Sequence, residues 1–333
     1  MARNLGEHLS RGGIRPPPVP SGGTIGLTCP GGPVARSRLA AGVDWLRGKG
    51  FNVVVHAAVY RRRGYLAGTD EERAEALHEL LRNPKVDMIM AARGGYGSIR
   101  LLEQLDYSLF TAHPKVLVGY SDITSLLLAV HARTGLITFH GPMAAVDLAG
   151  GVPALTGQSL LAMIGGCGPS VLCASAWPDW SVITPGCATG PLVGGCLTLL
   201  TALVGTPYMP DLNGTILFLE EVNEDPYRVD RMLTQLRLSG CLQRTAGIVI
   251  GALTNCIPQD DEPSPTAEEV IADRLADLHI PVVRGVPFGH QEVALTLPLG
   301  AIAHLDSDTG LHLLESPCLG DRAGELPRCG GME

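Results

Sequence analysis

The sequence predicts an α/β protein built on parallel sheet, and three observations carry that prediction. Short apolar runs alternate with amphipathic stretches along most of the chain, the pattern of strands covered by helices on both faces. Apolar residues make up 45 % of the 333 residues but aromatic ones only 5 %, so the core must be aliphatic. From 147 to 195 the composition shifts to Gly, Pro, Ser and Cys, which divides the alternation into two parts.

Taken in order, residues 1–20 read as a disordered lead-in, because Pro16, Pro17 and Pro18 interrupt helix and ladder hydrogen bonds alike. The run TIGLTCP is the first buried strand. A helix follows from Val34 to Arg47, ended by Gly48 and Gly50, and FNVVVH resumes as a strand. DEERAEALHELLRN is a helix with its acids in the first turn, where the helix dipole favours negative charge. KVDMIMA is a strand, Ser98 to Leu105 a helix and KVLVGY a strand. DITSLLLAVHAR is a helix closed by Gly135, and ITFHG is a strand.

The turn signals PDW and TPG make 166–185 a linker between an N-terminal domain, 21–165, and a C-terminal one, 186–318. Beyond it, GGCLTLLTALVG is a helix between glycines and TILFLEE a strand. PYRVDRMLTQLRLSG is a helix with Pro first and Gly last. AGIVIGAL, EEVIADRLADL and IPVVRGV continue the alternation. LGAIAHLDSDTGLHLLE reads as a hairpin turning at Asp308-Thr309-Gly310, and 319–333 as a tail.

Composition bounds the function. A net charge of −8 argues against nucleic acid as a partner, since phosphate binding needs a basic face. The first twenty residues hold no apolar signal segment, and no apolar run reaches the ~20 residues of a membrane span. Nine cysteines, without a C-x-x-C pair, suit reduced thiols in a cytosol. The expectation is a cytoplasmic protein with no membrane partner.

The chemistry concentrates where strands end. In KVLVGYSDITSLLLA a strand closes at Gly119-Tyr120, Ser121 sits at the junction, and a helix starts at once. That placement exposes a nucleophile beside the helix's unpaired N–H groups. The segment alone reads equally as a helix N-cap, and Ile123 stands where the G-x-S-x-G elbow has its second glycine. Arg93-Gly94-Gly95 follows the strand KVDMIMA, where an open parallel sheet binds its ligands. Two glycines there let a backbone N–H approach a substrate oxygen, or simply make a tight turn.

Glu220 and Glu221 end one strand and His290 follows another, which would complete a serine triad. The plainer alternatives are an ion pair of Glu220 with Arg231 and a loop histidine without a role. His140, after another strand, suits a hydrogen-bonded place in the same cleft. His304, Asp306 and His312 share a face of the terminal hairpin, but no second cluster supports a metal there, and neither metal nor organic cofactor is expected.

Six segments in order resemble the L,D-carboxypeptidases, the family of muramoyltetrapeptide carboxypeptidases and microcin C self-immunity peptidases. They are YLAGTDEERAEALHELLRNPKVDMIMAARGGYGSIRLLEQLDY, GYSDITSLLLA, TFHGPM, GPLVGGCLTLL, ILFLEEVNEDPYRVDRML and GVPFGHQEVALTLPLG. The resemblance implies a flavodoxin-like or Rossmann-like N-terminal domain, and a smaller C-terminal α/β domain with its own sheet. It implies a triad of Ser121, Glu220 and His290, with Glu220 favoured over its neighbour Glu221. It implies an oxyanion hole from the N–H groups of Gly95 and Asp122. Arg93, Gly94 and Tyr120 are expected to bind substrate, a murein tetrapeptide that loses its terminal D-Ala in peptidoglycan recycling. The resemblance suggests a homodimer. The alternatives are an immunity-type peptidase acting on an aminoacyl-nucleotide and a non-catalytic ligand-binding protein. Cys196 stands where the resemblance would as readily place Asn.

Overall fold

Strands form where apolar, largely β-branched runs must be covered on both faces, and six of them make the first sheet. The computed structural model describes residues 13–166, 171–258 and 263–320. Strands β1 (Thr24–Thr28), β2 (Asn52–Val55), β3 (Met88–Ala91), β4 (Val116–Gly119) and β5 (Thr138–His140) are mutually parallel. Helices α1 (Arg36–Gly48), α2 (Asp70–Arg82), α3 (Tyr107–Ala112) and α4 (Thr124–Thr134) connect them. A capping box starts α2: Thr69 accepts from the Glu72 N–H, and the Glu72 carboxylate from that of Thr69. Residues 124–130 of α4 are buried on every side, as in a helix enclosed between layers.

After α5 (Ala154–Ile164) the chain builds an eight-stranded sheet. Its strands are β6 (Val171–Cys173), β7 (Ser181–Thr184), β8 (Cys187–Cys196), β9 (Ile216–Val222), β10 (Gly247–Thr254), β11 (Val282–Arg284), β13 (Ile302–Asp306) and β14 (Gly310–Leu313). The four from β8 to β11 run parallel, with α6 (Leu197–Ala202), α7 (Pro226–Leu238) and α8 (Ala267–Leu275) in their connections. The hairpin of β13 and β14 pairs Asp306 with Gly310, as the period-two pattern predicts. Between β11 and β13 in sequence, β12 (Leu297–Leu299) leaves this sheet and adds antiparallel to β5 at the edge of the first. One hydrophobic cluster runs from Leu126 and Leu127 of α4 to Val193, Leu197, Leu217 and Val229, joining both parts of the chain.

Several boundaries differ from the sequence expectation. Residues 13–20, expected in a disordered lead-in, lie against the body. Ile14 donates to the Gly135 carbonyl at 2.7 Å, and Val19, buried, donates to Ile164 at 2.8 Å. Prolines remove donors of their own, but the residues beside them still pair. The expected linker at 166–185 contains β6 and β7, which extend opposite ends of the second sheet. The helix expected over Ser98–Leu105 is a single 3-10 turn, Ser98–Leu101. The helix expected between glycines is α6, after Gly194 and Gly195 and before Gly205; the first two also close β8, where a side chain at Gly194 would collide with the Phe218 carbonyl of the next strand. Residues 1–12 of the lead-in and 321–333 of the tail lie outside the described residues, while Leu319 donates to the Pro16 carbonyl at 2.8 Å.

Candidate active site

Ser121 stands where β4 ends and a 3-10 turn, Ser121–Ile123, leads into α4. Its φ of 61° places a non-glycine residue in the left-handed region, a conformation that costs about 1–2 kcal/mol. Its hydroxyl caps neither the turn nor α4, so the N-cap reading does not describe it. The Gly94-Gly95 turn lies directly alongside. A β-carbon on Gly94 would sit 3.1 Å from Ser121 Cβ, 3.2 Å from its Oγ and 3.3 Å from the Asp122 N. Glycine leaves room for this approach, which a β-carbon would make tight. Among the described residues, the N–H groups of Gly95 and Asp122 have no hydrogen-bond acceptor.

Buried polar groups set the shape of this turn. The Asp122 carboxylate, 2 % exposed, accepts from the N–H groups of Gly97 (3.0 Å) and Ser98 (2.9 Å). Burial pushes the Asp122 carboxyl above the usual range, while these hydrogen bonds oppose the rise. Arg73, fully buried, donates to the carbonyls of Pro30 and Gly97 and pairs with Asp70. Arg93 donates to the Pro33 carbonyl at 2.7 Å, so one arm of its guanidinium braces the neighbouring loop.

The second sheet brings in Glu220 and His290. Glu220, on β9, has no exposed surface, and its Oε2 accepts from His290 Nδ1 at 2.7 Å and from the His290 N–H at 3.2 Å. Gly289, at φ 95°, makes this possible. A β-carbon there would fall 2.5 Å from Glu220 Oε2 and 2.6 Å from its Cβ and Cγ. Thr254 anchors the other side by donating to the His290 carbonyl. Burial works to lower the His290 pKa. The hydrogen bond to Glu220 and the charges of Glu220, Glu221 and Asp147 oppose it, and the net effect is a rise above the usual imidazole value.

Tyr120 links the two halves. Its ring centroid lies 4.8 Å from that of His290, and its hydroxyl donates to Asp147 at 2.9 Å. His290 therefore stands beside the residue that precedes Ser121. Among the described residues no direct hydrogen bond joins Ser121 to His290; such contacts are often loose without substrate.

Glu221 does other work. Its carboxylate accepts from the Thr198 N–H and hydroxyl, each at 2.7 Å, and from the Val222 N–H at 2.9 Å, holding the start of α6. Cys196 Sγ lies 3.5 Å from the same carboxylate, and burial followed by that negative charge raises its thiol pKa well above normal. Glu220 does not pair with Arg231, whose guanidinium lies over the Tyr227 ring.

His140 departs from expectation. It is buried among Tyr120, Phe218 and Phe288, and neither ring nitrogen finds a partner among the described residues. Burial lowers its pKa to about 4 and keeps it neutral. Asp306 is a turn residue, accepting from the N–H groups of Asp308 and Thr309. Sequence reasoning missed Asp147 and Gly289. The glycine was visible in F-G-H, but its role appears only once Glu220 lies against it.

Residues 25–141 match the model of the LD-carboxypeptidase N-terminal domain and residues 189–305 that of the C-terminal domain. A probable murein peptide carboxypeptidase of Bacillus subtilis is 36 % identical over 303 residues, 91 % of this chain and 94 % of that protein. The microcin C7 self-immunity protein MccF of Escherichia coli is 32 % identical, over 87 % of this chain and 92 % of its own. The crystal structure of a muramoyltetrapeptide carboxypeptidase from Oxalobacter formigenes superposes with a TM-score of 0.75 at 34 % identity, covering 86 % of this chain and 96 % of that one. With both domain models matched in order and relatives aligned along nearly their whole length, the chain belongs to the LD-carboxypeptidase family.

Proposed function

We propose that the protein is a serine carboxypeptidase that removes a terminal D-amino acid, D-Ala, from the L-centred diamino acid residue of a murein tetrapeptide. One observation carries the reading: a buried carboxylate holds Nδ1 of His290, whose ring lies 4.8 Å from that of Tyr120, the residue before a serine in a strained strand-to-helix turn. In this reading Ser121 Oγ attacks the scissile carbonyl, and His290, neutral and with Nδ1–H fixed by Glu220, takes the serine proton on Nε2. The N–H groups of Gly95 and Asp122 receive the oxyanion. The C–N bond breaks as His290 returns the proton to the leaving amine, and water then hydrolyses the acyl-serine by the same route. Tyr120 seats the imidazole, and Arg93 and Gly94 border the place of the substrate's terminal carboxylate.

Cytoplasmic recycling of cell-wall peptides fits the reading, as does a homodimer of the kind the family suggests. No described helix is long and apolar enough to cross a membrane. Incubation with a synthetic murein tetrapeptide, followed by mass spectrometry, tests the proposal: tripeptide and free D-Ala must appear, and Ser121→Ala must yield neither. Similarity to the self-immunity protein supports a second reading, cleavage of an aminoacyl-nucleotide. Turnover of such a conjugate with the tetrapeptide left intact would favour it.

A further inference from the structure

Asp147 stands outside the serine, glutamate and histidine of the proposed mechanism, yet one side chain ties it to the histidine. The hydroxyl of Tyr120, a buried residue, donates to Asp147 Oδ1 at 2.9 Å, and the Met143 N–H donates to Oδ2 at 2.8 Å. Both oxygens accept, the arrangement of an ionised carboxylate. Burial raises the Asp147 carboxyl, while these bonds and the charge of His290 oppose the rise. The turn that carries Asp147 is itself clamped. Arg38 of α1 donates to the carbonyls of Ala145 and Val146 at 2.9 and 2.7 Å, and the Ala145 N–H reaches the Ala92 carbonyl, just past β3, at 2.8 Å. Gly42 of α1 packs so closely that a β-carbon there would collide with the Ala144 carbonyl.

This rigidity is passed to His290. Glu220 holds the Nδ1 edge of the imidazole, but its face rests on the Tyr120 ring, 4.8 Å away between centroids and tilted by 58°. Tyr120 is extended backbone immediately before Ser121, at φ −156° and ψ −167°. Whatever fixes its ring therefore fixes the imidazole relative to the serine. A buried hydroxyl tethered to a clamped carboxylate does so. Charge adds to the tether. The negative groups acting on His290 are Glu220 and Glu221 of β9 and Asp147, while His140, whose ring lies 5.7 Å from that of Tyr120, stays neutral.

We infer that Asp147 is a positioning residue for His290: through the Tyr120 hydroxyl it fixes the ring on which the imidazole packs, and its charge favours the imidazolium formed when the serine proton is taken. The inference rests on the serine carboxypeptidase reading, and two measurements keep them apart. The first needs no turnover. In an NMR titration of the His290 ring, assigned by its absence from His290→Asn, Asp147→Asn should lower the inflection by about half a pH unit, because a charge favouring the cation is gone. The second is cleavage of the murein tetrapeptide. Tyr120→Phe and Asp147→Asn should each lower kcat about tenfold with KM held, since a displaced imidazole slows the chemistry without loosening the substrate. Tyr120→Phe with Asp147→Asn should cost no more than Asp147→Asn alone, as both break one contact. An unmoved inflection in Asp147→Asn, losses that multiply in the double variant, or losses confined to KM would overturn the inference. If Asp147→Asn does not fold, Tyr120→Phe, which keeps both ring and charge, carries the kinetic test. If the unmodified protein leaves the tetrapeptide intact, the carboxypeptidase reading fails, while the titration still decides whether Asp147 acts on His290.

Discussion

Glu220 Oε2 accepts two hydrogen bonds from a single residue, His290, from Nδ1 at 2.7 Å and from the backbone N–H at 3.2 Å. The double contact fixes both the tautomer and the position of the imidazole, because the ring cannot rotate without losing the shorter bond.

The first prediction concerns pH. In the proposed mechanism His290 is neutral when it accepts the serine proton, and its pKa is raised in the folded protein. The specificity constant should therefore fall as pH drops through an inflection above the ordinary imidazole value. Glu220→Gln removes the charge that opposes the burial effect, so the inflection should move down. The residual rate should drop about a thousand- to ten-thousand-fold. A pH–rate profile of both proteins checks this, and an unmoved inflection would count against the pair.

Glu221 supplies the control. Its carboxylate faces Thr198 and Val222, so Glu221→Gln should keep the rate within about tenfold. Stability should fall by about 1–3 kcal/mol as buried donors lose their acceptor. Urea titration beside steady-state kinetics separates the two glutamates.

Ser121 offers a test in which stability and activity part. Ser121→Ala should abolish turnover with little change in melting temperature, and Ser121→Ala with His290→Ala should cost hardly more than either alone. Ser121→Gly should be equally inactive yet about 1 kcal/mol more stable, because glycine relieves the left-handed strain. Calorimetry on the two variants decides it.

Gly289 is expected to tolerate nothing larger. Gly289→Ala drives a methyl into Glu220 and should reduce the specificity constant at least ~100-fold, since small displacements of catalytic groups have effects of that size. A crystal structure of the variant should show Glu220 or His290 displaced; both in place with full activity would refute the argument.

The substrate terminus should be read by charge and shape. The tetrapeptide ending in D-Ala should be cleaved, whereas its C-terminal amide, or the same peptide ending in L-Ala, should lose at least ~100-fold in specificity constant. Arg93→Ala should raise KM for the free carboxylate, measured by D-Ala release. Comparable rates on all three peptides would mean that the terminus is not recognised.

Much of this molecule was legible in local sequence, where the determinants act over a few residues. The alternating apolar runs specified β1 to β5 and β9 to β11, the acids of the first turn specified the start of α2, and Asp308-Thr309-Gly310 specified the hairpin turn. Ser121, Glu220 and His290 lay at strand ends, where an α/β sheet gathers its ligands, but it was the resemblance to the L,D-carboxypeptidases that singled them out. What local pattern does not carry is which distant elements meet. β12 crosses to the first sheet, β6 and β7 occupy what read as a linker, and residues 13–20 pack although their prolines suggested otherwise. The choice of Glu220 over Glu221 belongs to the same class. Adjacent strand residues point to opposite faces, so only the placement of Gly289 against one face and of α6 against the other sends one carboxylate to His290 and its neighbour to Thr198.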